Sequence, residues 1–246
     1  MKSINLIKTL TIFFFLVSST SVLSAQECLD QLKQLYQNME TKMTENEGGI
    51  FHLKYQMTNV VGANKGGQTM STRVEILSQG NKSYYISDQA SIFQDVAITY
   101  TVMPAEREII LTPNTGESIK QARLNQITNM QQRILSVASL KSCSDINRNG
   151  NNLKQIVISM PKAEQTATNI KEIEFVVDME SFTLLESTIL YLKTEEIVSS
   201  KIVYETINYN ASTDRFQQPV AQEVYTSGQE PIGLYKGYKV INYTNQ

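Results

Sequence analysis

The residues with which this 246-residue chain could do chemistry are few: one histidine, His52, two cysteines, Cys28 and Cys143, and scattered carboxylates. General-base catalysis and zinc binding both lean on histidine. His52 stands alone, with no Cys or His cluster near it, on the polar side of an alternating segment, so it reads as a surface residue. Glu172 and Glu174 fall on one side of a predicted strand, and Glu186 and Thr188 on one side of the next. Neither pairing is specific, and both fit a solvated face. There is no Gly-x-Ser-x-Gly elbow, no phosphate loop and no dinucleotide fingerprint. Tryptophan is absent, which excludes a sugar platform built on it, while twelve tyrosines remain. These residues offer no catalytic constellation, no metal site and no cofactor site, and the chain is expected not to be an enzyme. A formal charge of −2, with no run of like charges, argues against a nucleic-acid partner.

The N-terminus points to export. Lys2 and Lys8 give a positive start, Leu10 to Val17 is almost uninterruptedly apolar, and small residues lead to Leu23-Ser24-Ala25. That is the pattern of a cleaved signal peptide over residues 1–25. The apolar run is shorter than the roughly 20 residues of a spanning helix. A lipidated N-terminus would need a cysteine directly after the cut, and Cys28 follows Gln26 and Glu27. The expectation is a soluble periplasmic protein, with secretion the lesser alternative. In such an oxidising compartment Cys28 and Cys143 are candidates for a disulfide. Each borders a predicted helix, so a bridge would join two helices; the alternative is two separate buried thiols.

Periodicity supplies the elements that would position any site. From Gln26 to Met43, Leu29, Leu32, Leu35, Tyr36, Met39 and Met43 recur at helical spacing. Gly48-Gly49 ends that segment. From Ile50 to Asn59 the period becomes two, with Phe51, Leu53, Tyr55 and Met57 on one face and His52, Lys54, Gln56 and Thr58 on the other. Met70, Val74 and Ile76 continue the alternation. Ser83 to Ser87, Ala97 to Met103 and Arg107 to Thr112 complete a meander of about five strands. A second helix is predicted from a capping box at Asn114 and Glu117, with Ile119, Ile127, Met130, Ile134, Val137 and Ala138 on one face, ending near Ser139 to Cys143. Asp145 to Asn152 reads as a polar loop. Four further strands are predicted over Leu153–Met160, Ile170–Asp178, Leu184–Lys193 and Val198–Asn208. Phe216 and Pro219 suggest a closing strand or bulge, and Tyr238 to Tyr243 a last edge strand.

The fold class expected is mainly β with two helices: an open, curled antiparallel β-barrel of about 9–11 strands, with the helices covering its concave face. The domain reading is a signal peptide over 1–25, the barrel over 26–220 and a C-terminal extension over 221–246.

This layout resembles the LolA-like periplasmic lipoprotein carriers and their outer-membrane acceptor relatives. Three places carry the resemblance: the entry into the first strand at Gly49-Ile50-Phe51, the segment Asp95 to Pro104, and the closing strands from Asp178 through Ile207-Asn208 to Phe216 and Pro219. It implies an open barrel whose apolar cavity takes acyl chains. Two departures stand out. Val96 replaces the glycine after the aspartate. The arginine-bearing stretch tied to lid opening and lipoprotein release has no counterpart, since the corresponding strand reads Tyr84-Tyr85-Ile86-Ser87.

Phe51, Leu53, Tyr55, Met57, Met70, Val74, Ile76, Ile127, Met130 and Ile134 are therefore the cavity-facing candidates. The expected function is an exported, non-enzymatic carrier or binder of lipid or lipoprotein acyl chains, with a lipid or acylated lipoprotein, and an envelope membrane protein, as partners. The alternative is a protein-interaction or envelope-assembly module that uses the same fold with a filled core, in which the methionines simply pack.

Overall fold

The computed structural model describes residues 26–43, 45, 48–63, 66–114, 133–192, 196–226 and 230–244. The signal segment and the face of the second helix carrying Ile119, Ile127 and Met130 lie outside the described residues.

Helix α1 spans 26–43. Six strands follow: β1 (Ile50–Val61), β2 (Thr69–Gln79), β3 (Lys82–Ser87), β4 (Ser91–Gln94), β5 (Ile98–Met103) and β6 (Glu108–Pro113). Helix α2 is described over 133–137. Then come β7 (Ser139–Arg148), β8 (Asn151–Ser159), α3 (Lys162–Thr168), β9 (Ile170–Asp178), β10 (Thr183–Tyr191), β11 (Ile197–Ala211) and β12 (Lys239–Asn242). All twelve strands form one open sheet in the order β12-β6-β5-β4-β3-β2-β1-β11-β10-β9-β8-β7. The long strands β1 and β11 are its central pair. Every pairing is antiparallel except that of β12, which joins the edge strand β6 in parallel.

Several sequence expectations need correction. The second helix ends before Ser139, and Ser139 to Arg148 is a strand. Leu140 and Cys143, three residues apart, look helical in sequence. In the structure a bulge between Leu140 and Ser142 puts both on one side of β7, opposite Ile158 and Ile156. The predicted polar loop is instead a two-residue hairpin turn. Asn149 and Gly150 both have positive φ, 56° and 85°, between the register partners Arg148 and Asn151, as a type I′ turn requires. Strand β4 and the short helix α3 were not expected. The capping box expected at Asn114 and Glu117 lies partly outside the described residues; within them Asn114 Nδ2 donates to the Asp95 carbonyl at 2.6 Å.

The sheet carries two cores, one on each face. Strand registers run unbroken from Phe175 through Ser187, Ile202 and Met57 to Thr72, which fixes one face across five strands. On this helix-bearing face Leu32, Leu35 and Tyr36 of α1, with Ile134, Leu135 and Ala138 beside α2, pack against Ile156, Ile158, Ile173 and Phe175. The second core lies on the opposite face of β2–β6. There Leu77, Tyr84, Phe93, Tyr100 and Leu111 form one cross-strand row. Phe216, Val220 and Val224, from 3-10 turns after β11, seal it. The region expected to be a closing strand is thus a cover for the far face. Tyr84 stacks on Phe216 at 4.8 Å between ring centroids, and Lys82 Nζ donates to the carbonyls of Phe216 and Gln218 at 2.8 and 3.2 Å. Around Tyr84-Tyr85-Ile86 and Ile109-Ile110-Leu111 the strands are apolar on both faces, one face sealed and the other half-buried.

Cys28 and Cys143 are disulfide-bonded, with Cα atoms 6.5 Å apart. Because Cys143 sits in β7, the bridge joins α1 to a strand, not to the second helix.

Candidate functional site: a half-open apolar face

The first seven cavity candidates converge. Phe51, Leu53, Tyr55 and Met57 on β1 lie opposite Ser78, Ile76, Val74 and Thr72 on β2, with Met70 opposite Asn59, all on the helix-bearing face. Period-two alternation dictates that convergence, since a strand whose odd residues are apolar can bury only one side. Val74 is fully buried, Met70 is 44% exposed, and the others are half-buried. Ile134 lies in the packed helix-bearing core.

The registers extend this patch into a longer row. Ile207 on β11 pairs with Leu53, which pairs with Ile76, then Tyr85 on β3 and Ile92 on β4. Thr101 interrupts on β5 before Ile110 on β6. Every member of this row is half-buried. The row on the other face of β2–β6, from Leu77 to Leu111, is at most 8% exposed throughout. One face is sealed and the other is an apolar surface left partly open. Tyr85, Ile92, Ile110 and Ile207 were missing from the sequence reading. Residues 84–86 are apolar on both sides, so alternation gave no way to choose between Tyr84 and Tyr85.

A cleft of about 160 Å³ opens beside this row, between the end of α1 and the β9–β10 hairpin. Ile207 lines it together with Met39, Lys42, Phe182 and Tyr209. Phe182 holds a positive φ of 50° and is 37% exposed. A bulky side chain rarely adopts that backbone conformation. Lys42 Nζ sits 5.6 Å from the centre of the Tyr209 ring.

The ionisable residues are engaged elsewhere. His52 Nε2 meets Glu75 Oε1 at 2.9 Å on the face away from the helices. Glu172 accepts from Lys141 at 2.7 Å, and that hydrogen bond holds its carboxyl below the usual range. Glu174 accepts from Gln155 at 2.7 Å. Glu186 is paired with Arg148 and Lys201 at 2.7 and 3.0 Å. These pairs decorate a solvated surface, where such contacts contribute little to stability. Among the described residues no group of three or more His, Cys, Asp or Glu could hold a metal ion, and no helix is long and apolar enough to cross a membrane.

Asp95, the first residue of the family-like segment, lies in the turn between β4 and β5. Its Oδ1 accepts from the backbone N–H groups of Ala97 and Ile98 at 2.8 and 2.9 Å. Val96 is 55% exposed and is not among the residues with positive φ, so valine fits where the family has glycine.

The open, curled sheet with helices on one face is the LolA-like architecture that the sequence resemblance implied. No family model matches the sequence, and no curated protein does. Among solved structures the chain is similar to an uncharacterized conserved protein from Thermus thermophilus, at 7% identity and a TM-score of 0.42, covering 84% of this chain and 98% of that one. It is similar to the lipoprotein LppX of Mycobacterium tuberculosis at 10% identity and a TM-score of 0.41, covering 74% and 99%. A LolA superfamily protein from Nitrosomonas europaea aligns at 10% identity and a TM-score of 0.29, covering 74% and 97%. At such distances any function must be argued from this chain's own residues.

Proposed function

We propose that the protein is an exported, non-enzymatic binder of acyl chains, belonging to a lipid or an acylated lipoprotein, which it carries in the periplasm on the helix-bearing face of its sheet. The observation that supports this is the half-open row from Ile207 through Leu53, Ile76 and Tyr85 to Ile92. A row of large apolar side chains left half-exposed gives up hydrophobic stabilisation. A ligand chain laid along it recovers that stabilisation at about 0.8 kcal/mol per buried methylene. Met57 and Met70 at its border suit chains of varied shape.

Titration with a pyrene-tagged alkane tests this reading. Wild-type protein is expected to bind the probe, and Ile76→Gln to weaken binding at least tenfold while remaining folded. No binding by folded wild-type protein would contradict it.

A second reading is favoured by a different observation. Leu234, Val240 and Tyr243 near β12 are 77%, 44% and 44% exposed, as an envelope-assembly module would need for a protein partner. Retained probe binding in Leu234→Ser, together with loss of co-purifying protein, would show that this surface serves a partner and not the lipid.

A further inference from the structure

Four tyrosines meet on the helix-bearing face, where its packed half joins its half-open half. Tyr55 and Tyr204 are register partners on β1 and β11, with ring centroids 6.2 Å apart. Tyr85 is close enough to Tyr55, and Tyr36 to Tyr204, for the charge of one phenolate to raise the pKa of the other. Burial and the neighbouring phenols are what hinder the ionisation of Tyr36 and Tyr55; no Lys, Arg, Asp or Glu enters. The phenols of Tyr36, Tyr55 and Tyr204 are therefore placed to act as neutral hydrogen-bond donors.

Three of the four donors are unused. Among the described residues the hydroxyls of Tyr36, Tyr55 and Tyr85 make no hydrogen bond, and that of Tyr204 makes one, with Ser187 Oγ at 3.4 Å. Ser187 is itself buried, at 5% exposure. None of the three unpartnered hydroxyls is sealed from water, so a ligand that covers them must replace the hydrogen bonds that water makes there. A bare hydrocarbon would leave these donors unmet. A carboxylate or phosphate would bury a charge with no cation to pair it. An ester carbonyl is an uncharged acceptor, and it sits next to the acyl chains that the adjoining row would hold.

We propose that the cluster of Tyr36, Tyr55, Tyr85 and Tyr204 binds the ester carbonyls of the ligand, so that the class preferred is a neutral acyl ester. This rests on the acyl-chain reading above.

The test is competition against the pyrene-tagged alkane, which carries no oxygen, by two lipids of equal chain length: a diacylglycerol and the corresponding dialkylglycerol ether. Wild-type protein is expected to favour the ester about tenfold, the worth of one or two well-made hydrogen bonds. The double variant Tyr55→Phe/Tyr204→Phe should lose the preference and keep its affinity for the ether and the alkane. Should the double variant fail to fold, Tyr85→Phe, at a half-buried position, should cut the preference several-fold. Equal competition by ester and ether in wild-type protein, with the alkane bound, would overturn the ester site and leave the acyl-chain reading standing. Failure to bind the alkane would overturn both.

Discussion

Cys28 of α1 is covalently bonded to Cys143 in β7, the outermost strand at one end of the sheet. The first helix is thereby tied to the sheet edge, across 115 residues of sequence. Reduction, or the pair Cys28→Ser/Cys143→Ser, is expected to cost about 2–5 kcal/mol. Urea unfolding with and without reductant measures it. Thiol titration of denatured, unreduced protein should find no free thiol, and two per chain would contradict the bridge.

The two halves of the helix-bearing face should respond differently to truncation. Ile156 is fully buried in the α1–α2 core, so Ile156→Ala is expected to destabilise by about 2–5 kcal/mol. Leu53 is half-buried in the open row, so Leu53→Ala should cost roughly half of that or less, because less area leaves water on folding. Equal losses in chemical denaturation would show a uniformly filled core and favour the interaction-module reading.

The C-terminal cover makes its own contribution. Phe216 fills the far-face core against Tyr84, and Phe216→Ala is expected to cost about 3–5 kcal/mol. Lipid binding should persist in the variant at temperatures where it is folded, since Phe216 lies on the opposite face from the open row.

Alkaline stability follows from the tyrosines. Burial pushes Tyr55, Tyr84 and Tyr209 up to about 12, and Tyr36 well above the ordinary value of 10.0. A folded pKa above the unfolded one means that the stabilising difference is fully present below about pH 10. It is lost as the pH rises towards 12, because the unfolded chain ionises first. Tyrosinate absorbance followed against pH should show a late, cooperative rise coinciding with unfolding. A simple titration near pH 10 in folded protein would contradict the burial.

What could be read in the sequence was the part governed by one-sided burial. The alternation of Phe51, Leu53, Tyr55 and Met57 against His52, Lys54, Gln56 and Thr58 divides these residues between two faces as the β1–β2 register does. Where local pattern and tertiary structure diverge, the reading failed for identifiable reasons. The bulge at Leu140–Ser142 imitates helical spacing in a strand. Helix α3 buries no residue and so leaves no apolar period. Strands apolar on both faces, as at Tyr84-Tyr85-Ile86, carry no alternation to show which face is sealed and which stays partly open. The tyrosine cluster joins residues from α1, β1, β3 and β11 and becomes visible only once the register is known.

Native mass spectrometry of the protein purified from its host without detergent tests acyl-chain binding most directly. The account predicts a population carrying a lipid-sized adduct that is lost in Ile76→Gln. A clean apo mass for wild-type protein, together with no binding of the added alkane probe, would contradict it.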